Sequence, residues 1–378
     1  MKRVRQILAL ALCTVLCLST TGCLRQLDGK KLAVVEMVGI DRIDDLYLLS
    51  AQVFDPSSGS DEGSGGQYEL FTAEGRSISH AAEELGRKAG GSVFWGGNKL
   101  IVVGALAARA GISDVVHYFN AQTESRPQTP VIVSRQDAAA VVAGVMAERA
   151  AMQIEEAQRS GAAVPSTVMT ILDSLLNENE NPAAALGELS GQAAGAEDNQ
   201  KPEISLVGTA VFVGDRLAGE ANLTATRGIL WALGKVEESI VAVDDPAVGR
   251  VSLAVTANDS KIHCEIRDGV PEFSISLAVS AAVVDIGGRN DFAEEGDYQR
   301  ISDAVERVVE QETLFMLRQS AGKNTAADLI GLTRTLRKER PGFFHERIEA
   351  GENPIAGARY AVDAAVELKR LGIELGNV

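Results

Sequence analysis

The sequence predicts an α+β fold, elongated and built from two to three domains with mixed or antiparallel sheets and flanking helices. Three observations lead to this prediction. The chain has 378 residues, which is more than a single hydrophobic core usually organises. Strand and helix patterns are interleaved in the first half, whereas long strand-period alternation dominates the second half. An apolar content of 46% is enough to form the cores of such domains.

Strand and helix signals alternate through the N-terminal half. Two apolar runs, residues 32–38 and 46–54, flank a stretch rich in Asp and Gly and predict a strand, a turn and a second strand. Further strands are predicted at residues 68–73, 99–103 and 130–134. Apolar residues recur at helical spacing twice between these strands, at Ile78, Ala81, Ala82 and Leu85 and at Ile112, Val115, Val116 and Phe119. Asp137 stands where its side chain can cap the helix that follows.

A change of composition suggests where the first region ends. One more amphipathic helix is predicted from Met169, Leu172, Leu175 and Leu176. Residues 177–202, rich in Asn, Glu, Ala, Gly and Gln, are predicted to form a linker. We therefore divide the chain into a signal peptide at residues 1–22, an N-terminal α+β region at 23–203 that includes this linker, and a C-terminal α+β domain at 204–378.

The C-terminal half carries the clearest strand alternation. Within residues 271–284, Phe273 and Ile275 face one side while Ser274 and Ser276 face the other. A long helix and a last strand, at residues 358–373, follow. The apolar stripe of the long helix consists of Ile301, Val305, Val308, Val309, Phe315 and Met316.

The N-terminus predicts export and lipid attachment. Three basic residues within the first five positions precede twelve uncharged ones, and small residues then lead to Gly22 and Cys23. This is the layout of a signal peptide, and a Cys directly after Gly resembles the bacterial lipobox. The alternative is an ordinary signal peptide that is cut nearby, with Cys23 incidental. A lipid with two acyl chains on Cys23 would hold the protein stably on a membrane surface.

Charge and cysteine content exclude several classes. Removing residues 1–22 would take away three positive charges and change the net charge from −16 to −19. Such a surface repels nucleic acid and anionic headgroups, so lipid rather than a basic patch must provide the membrane attachment. Cys13 and Cys17 lie within the signal peptide and Cys23 would be acylated. Cys264 then has no partner for an intrachain disulfide.

The residues that usually carry catalysis or bind metals are scattered. The four histidines are far apart, and no HxxxH, HExxH or CxxC spacing occurs. His263 is next to Cys264, but neighbours in a strand point to opposite faces, so they are not expected to form a nucleophile pair. Asp41 lies with two other aspartates in a predicted hairpin, and a solvated turn explains this cluster better than a cation site. The sequence therefore predicts no catalytic, cofactor or metal site.

Several segments in order resemble one family. They are LAVVEMVGIDRIDDLYLLSAQVFDP (residues 32–56), YELFTAEGRSISHAAEEL (68–85), WGGNKLIVVGALAARAGISDVVHYF (95–119), GTAVFVGDRLAGEANLTATRGILWALGKV (208–236) and TAADLIGLTRTLRKERPGFF (325–344). Together they resemble the Ger(x)C family, the lipoprotein C subunits of spore germinant receptors. The resemblance implies a non-enzymatic subunit at the outer face of the spore inner membrane, lipid-anchored and without cofactor. Its implied partners are integral membrane A- and B-type receptor subunits, not nucleic acid.

Two other classes remain open. A solute-binding lipoprotein of a transporter is the first alternative, and it would need two similar βα lobes with a ligand cleft between them. A cell-envelope hydrolase is the second, and the missing nucleophile and metal motifs argue against it.

Arg227 and Trp231 are the residues of interest within the fourth segment. Arg227 is a positive group in an acidic chain and is our candidate partner contact, although a local salt bridge is the simpler explanation. If that pair is exposed, it contributes only about 0–1 kcal/mol. Trp231 lies in a continuous apolar run and is predicted to be a core residue rather than an interface anchor.

Overall fold

The structure is a computed structural model that describes residues 32–55, 67–177, 180–190, 202–287, 295–320 and 327–369. The predicted signal peptide and Cys23 lie outside these ranges. Within them the chain forms thirteen strands and ten α-helices, arranged around two sheets. The prediction of an α+β fold with mixed sheets and flanking helices is confirmed.

The first sheet has nine strands. They are β1 (Leu32–Ile43), β2 (Leu46–Asp55), β3 (Gln67–Gly75), β4 (Ser92–Phe94), β5 (Leu100–Gly104), β6 (Val131–Ser134), β7 (Ala183–Ser190), β8 (Glu203–Val213) and β9 (Arg216–Asn222). Their order is β3-β2-β1-β5-β6-β7-β8-β9, with β4 also beside β1. Strands β1, β5, β6 and β7 run parallel in the centre, while the strands on either side are antiparallel.

Six helices cover the two faces of this sheet. They are α1 (Ile78–Lys88), α2 (Ala105–Ala110), α3 (Ser113–Ala121), α4 (Ala138–Gly144), α5 (Ala147–Arg159) and α6 (Val168–Leu176). Strand β5 shows why both faces are covered, because its alternate residues enter different cores. Ile101 and Val103 pack with α1, α2, α3 and α6, whereas Leu100 and Val102 pack with α4 and α5. A central strand of this kind is therefore apolar at every position.

The predicted linker contains a strand, so this part of the prediction is wrong. Strand β7 lies within residues 177–202 and pairs with β6 on one side and β8 on the other. Ala184 and Ala185 face opposite cores and both are buried. Composition gave no strand signal because alanine is a poor strand former by itself, and pairing inside the sheet overrides that tendency. The predicted division between residues 203 and 204 falls at the first residue of β8, and the first sheet continues to Asn222.

The second sheet has four strands and one covered face. The strands are β10 (Ile240–Asp245), β11 (Gly249–Arg267), β12 (Val270–Gly287) and β13 (Arg359–Lys369), in that order. The first three are antiparallel, and β13 is parallel to β12. Helices α7 (Leu223–Ala232), α8 (Glu295–Ser320), α9 (Leu332–Glu339) and α10 (Pro341–Glu349) accompany it. Phe273, Ile275 and Leu277 point from β12 into the core that α7 and α8 share.

Helix α8 also covers the free edge of β13. Glu310 accepts a hydrogen bond from the backbone of Ala364 at 3.1 Å, and Glu306 accepts one from Val366 at 3.0 Å. Ser302 donates to the Val366 carbonyl at 2.6 Å. These three side chains are spaced four residues apart, so they line one face of the helix. They occupy backbone groups that would otherwise be open to pairing with another chain.

The apolar stripes predicted for α8 and α6 are only partly buried. In α8, Ile301, Val305, Val309 and Met316 are buried, while Phe315 is 36% exposed. In α6 the buried residues are Val168, Ile171 and Leu172, whereas Met169 and Leu176 are 45% and 72% exposed. The helix begins at Val168 with a capping box from Thr167, and this phase turns Met169 and Leu176 away from the sheet.

Candidate functional site at the junction of the two sheets

Three side chains connect α7 to α8. Trp231 is completely buried, and its indole Nε1 donates to Oε2 of Glu312 at 2.8 Å. The Nε atom of Arg227 lies 3.3 Å from the same oxygen, in an ion pair whose side chains are only 26% and 15% exposed. Burial raises the pKa of the Glu312 carboxyl, and the charge of Arg227 and the hydrogen bond from Trp231 oppose this increase.

The predictions for these residues are only partly correct. Trp231 is a core residue, as expected. Arg227 forms a salt bridge, but its partner belongs to a distant helix and the pair is not exposed, because α7 and α8 pack closely at this point. The guanidinium Nη2 is buried and has no hydrogen-bond acceptor among the described residues. The role of Arg227 as a partner contact stays a prediction.

Gly228 allows the close approach of the two helices. A Cβ atom at this position would lie 2.3 Å from the backbone oxygen of Glu312 and 2.7 Å from Cβ of Met316. Any side chain would therefore force the helices apart. Beside it, the buried hydroxyls of Thr226 and Thr209 are hydrogen-bonded at 2.8 Å. The Thr-Arg-Gly-Ile-Leu-Trp segment thus specifies how α7 packs on α8.

A groove of about 590 Å³ separates α6 from the C-terminal end of α7 and the start of α9. Its lining includes buried Ile229 and Ile330 together with Met169 and Leu233, which are 45% and 39% exposed. The two sheets' helices meet here, so any molecule in the groove would contact both regions.

Polar contacts join the two regions beside this groove. Asn181 and Asp328 exchange hydrogen bonds, from Asn181 N to the Asp328 carbonyl at 3.2 Å and from Asp328 N to Oδ1 of Asn181 at 2.9 Å. Arg334 donates to both carboxylate oxygens of Glu180 at 2.6 and 2.7 Å. A two-point ion pair of this geometry fixes orientation as well as distance.

Asp328 also determines where α9 begins. Its buried carboxylate accepts hydrogen bonds from the backbone of Leu332 at 2.8 Å and of Thr333 at 2.6 Å. Burial raises the pKa of Asp328, while these hydrogen bonds oppose the increase. Gly331, at the N-cap position, has φ of 78°, a conformation that favours glycine. The Asp-aliphatic-Gly pattern of residues 325–344 is therefore a helix start.

Asp41 caps a helix, so its assignment to a solvated turn is wrong. It is 6% exposed, and its two carboxylate oxygens accept hydrogen bonds from the backbone of Ala138 and Ala139, both at 2.8 Å. Burial raises the pKa of Asp41 against these hydrogen bonds. Asp137, the predicted cap, occupies the N-cap position but makes no capping hydrogen bond. Strand β1 passes so close to α4 that the carboxylate of Asp41 caps this helix in place of Asp137.

Gly39, two residues before Asp41, provides the space for this contact. A Cβ at Gly39 would lie 2.9 Å from Val142 Cγ2 and 3.0 Å from Ala138. On the next strand, Gln52 accepts from Ala147 N at 2.9 Å and donates to the carbonyls of Val142 and Val145 at 2.6 and 2.7 Å. The Gly-Ile-Asp motif of the first segment is the sequence feature that could have indicated this packing of β1 against α4.

Cys264 and His263, the remaining candidate residues, do not form a catalytic site. Cys264 is fully buried, and burial raises the pKa of its thiol to about 11. His263 points outward, with Nδ1 2.8 Å from Oε2 of Glu339. In the part of the chain that the structure describes, no three His, Cys, Asp or Glu side chains are grouped in a way that could hold a metal ion. The described helices include none with the length and apolar character needed to cross a membrane.

These features define an α+β protein whose two sheet regions are joined at a helical junction. The model of the spore germination protein N-terminal domain matches residues 26–189, and that of the spore germination B3/GerAC-like C-terminal domain matches residues 207–372. The chain belongs to the Ger(x)C family of spore germination receptor C subunits.

Individual relatives agree with this assignment. Spore germination protein KC of Bacillus subtilis (strain 168) is 21% identical over 347 residues, covering 85% of this chain and 84% of that protein. The putative spore germination protein YfkR of the same organism is 21% identical over 313 residues, covering 79% and 80%. The crystal structure of the GerBC protein has the same fold, with a TM-score of 0.57 at 16% identity, over 90% of this chain and 99% of that one.

Proposed function

We propose that this protein is a lipid-anchored, non-enzymatic subunit of a spore germinant receptor. It would lie at the outer face of the spore inner membrane and assemble with integral membrane A- and B-type subunits. The observation that carries the proposal is the match of both family domains, in order, from residue 26 to residue 372.

Lipid on Cys23 is the proposed membrane attachment. The basic, apolar and small-residue segments before Cys23 support it. The net charge of −16 disfavours attachment through anionic headgroups. Two acyl chains on one thioether would anchor the chain stably, at ~0.8 kcal/mol for each buried methylene.

The junction of the two regions is the proposed place of contact with the other subunits. Met169, Leu176 and Leu233 are large apolar side chains exposed at or beside the groove, and exposed apolar patches of this kind mark binding surfaces. Arg227 is our candidate polar contact. Its side chain is 26% exposed, and its buried Nη2 has no acceptor among the described residues.

A solute-binding lipoprotein would require two similar βα lobes. The two regions are not similar in topology, because one sheet has a parallel centre between helices while the other is mostly antiparallel, with the described helices packed on one of its faces. We therefore favour the receptor subunit over this alternative.

Replacement of Cys23 tests the anchor. Cys23→Ala is expected to move the full chain from the membrane fraction of spores to the aqueous fraction. Cys17→Ala is the matched control, since it changes a cysteine of the signal peptide that should carry no lipid. If the Cys23→Ala protein sediments with membranes as firmly as the control, the proposed anchor is wrong.

A further inference from the structure

The second sheet has a broad face that no described element covers. On β12 this face is formed by small residues, Ser274, Ser276 and Ala278, all exposed. The strand register places residues of β11 and β13 beside each of them in rows. The central row consists of Lys261, Ser276 and Asp363.

Small residues are an unusual choice for an exposed sheet. Serine and alanine are weak strand formers, and solvated sheet faces normally use larger β-branched, aromatic or charged side chains. On β13, Ala361 and Ala365 continue the same pattern on either side of Asp363. The side chains at the centre of this face are therefore short, and another flat surface can approach the sheet closely there.

Two unpaired charges of opposite sign border the flat strip. Lys261 on β11 and Asp363 on β13 are both exposed, and neither has an ion pair or side-chain hydrogen bond within the described ranges. They lie two strands apart, about 10 Å at the usual strand spacing of about 4.8 Å. The structure shows no ion pair between them among the described residues.

We propose that this face binds a second copy of the same chain, with a two-fold axis running along β12 between two stacked sheets. Such an axis exchanges the left and right sides of the face. Lys261 of each copy then lies opposite Asp363 of the other, which gives two ion pairs around Ser276. A self-complementary patch is what a two-fold interface requires.

The neighbouring rows are compatible with this arrangement. The same axis places Asp259 opposite Ala365 and Glu367 opposite Ala257. Glu272 lies on the axis, where its charge is balanced within its own chain by Arg267 and Arg359. Stacked sheets cross at about 30°, which displaces rows far from the axis but leaves the central row in place. The central row therefore carries the specificity.

The contact area predicts a weak dimer. Five rows over three strands span about 27 Å by 14 Å, or roughly 380 Å² for each copy. Stable specific interfaces bury about 800 Å² for each partner. The dissociation constant should thus be micromolar or weaker, and added salt should weaken association because the ion pairs lie near solvent.

The proposal is tested by reversing each of the two charges in turn and then mixing the two variants. The full chain in a density-matched detergent is studied by sedimentation equilibrium, as wild type, Lys261→Glu and Asp363→Lys. Each single variant should dimerise at least about tenfold more weakly, since each places like charges opposite each other twice. Lys338→Glu, an exposed change on α9 away from this face, is the control and should have no effect.

An equimolar mixture of the two variants is decisive. In a mixed dimer Glu at 261 meets Lys at 363, and the remaining Lys261 meets the remaining Asp363, so both pairs are attractive. Association of the mixture should return to within about threefold of wild type. A wild-type chain that is monomeric throughout the micromolar range, variants that dimerise normally, or a mixture that stays as weak as the single variants would each overturn the proposal.

Discussion

The indole nitrogen of the fully buried Trp231 donates to the Glu312 carboxylate across the α7–α8 contact, at 2.8 Å. The same carboxylate carries the ion pair with Arg227. One partly buried carboxylate therefore contacts two residues of the segment that most resembles the family. This relationship makes the contact between α7 and α8 sensitive to charge, to side-chain volume and to pH.

Removing the Trp231 side chain should mainly affect stability. Trp231→Ala is expected to lower the free energy of unfolding by about 3–5 kcal/mol, because a buried aromatic group is lost and a cavity is left. Urea unfolding of the purified variant measures this. A variant that unfolds like wild type but fails to assemble with receptor subunits would show that Trp231 belongs to an interface.

Replacing Arg227 should affect stability more than an exposed pair would. Arg227→Ala leaves Glu312 with one partner in a buried setting, so we expect a loss of about 1–3 kcal/mol in thermal or urea unfolding. Arg227→Lys keeps the positive charge but not the planar fork. If Arg227 also contacts a partner, the Lys variant should recover stability without recovering germination of spores. Full recovery of both would contradict the partner role.

The Glu312 carboxyl should make the folded state less stable as pH rises. Because its folded pKa is raised, its contribution to stability is fully present below the ordinary value of about 4.3 and declines as pH passes through the raised value. Glu312→Gln cannot titrate but still accepts from Trp231. The stability of wild type relative to this variant should thus fall between pH 4 and neutral pH. A relative stability that rises over this range would mean that the Arg227 pair outweighs burial.

Gly228 should tolerate no side chain. Gly228→Ala brings a methyl group against the α8 backbone, and overpacking of this kind costs about 1–3 kcal/mol. Gly219→Ala is the matched control, since a Cβ there has no neighbour within 4 Å. Equal melting temperatures for the two variants would show that α7 and α8 can separate without loss.

The capping role of Asp41 can be separated from that of Asp137. Asp41→Ala removes two hydrogen bonds to the start of α4 and should cost about 1–2 kcal/mol. Asp137→Ala should change the unfolding free energy by much less, because its side chain makes no capping bond. The opposite ranking in denaturant unfolding would restore the sequence-based assignment.

Local patterns predicted most of the fold but little of what joins its parts. Helical spacing identified the buried faces of α1 and α3, and strand alternation identified the two faces of β12, because these patterns depend on the nearest core. Strand β7 was missed because its pairing partners, not its composition, make it a strand. Asp41 and Arg227 were misjudged for a related reason. Their partners, Ala138 and Glu312, are distant in sequence, and burial at those sites depends on helix packing that no local pattern contains.

The central claim is that the chain functions as a subunit of a membrane-bound germinant receptor. The most direct measurement is affinity purification of the tagged full chain from detergent-solubilised spore membranes, followed by mass spectrometry of the proteins retained. Both integral membrane subunit types should be recovered in stoichiometric amounts with wild type. Neither should be retained with Cys23→Ala, because that chain is expected to leave the membrane fraction while the subunits stay in it. Recovery of wild type without either subunit, from membranes that contain both, would contradict the account.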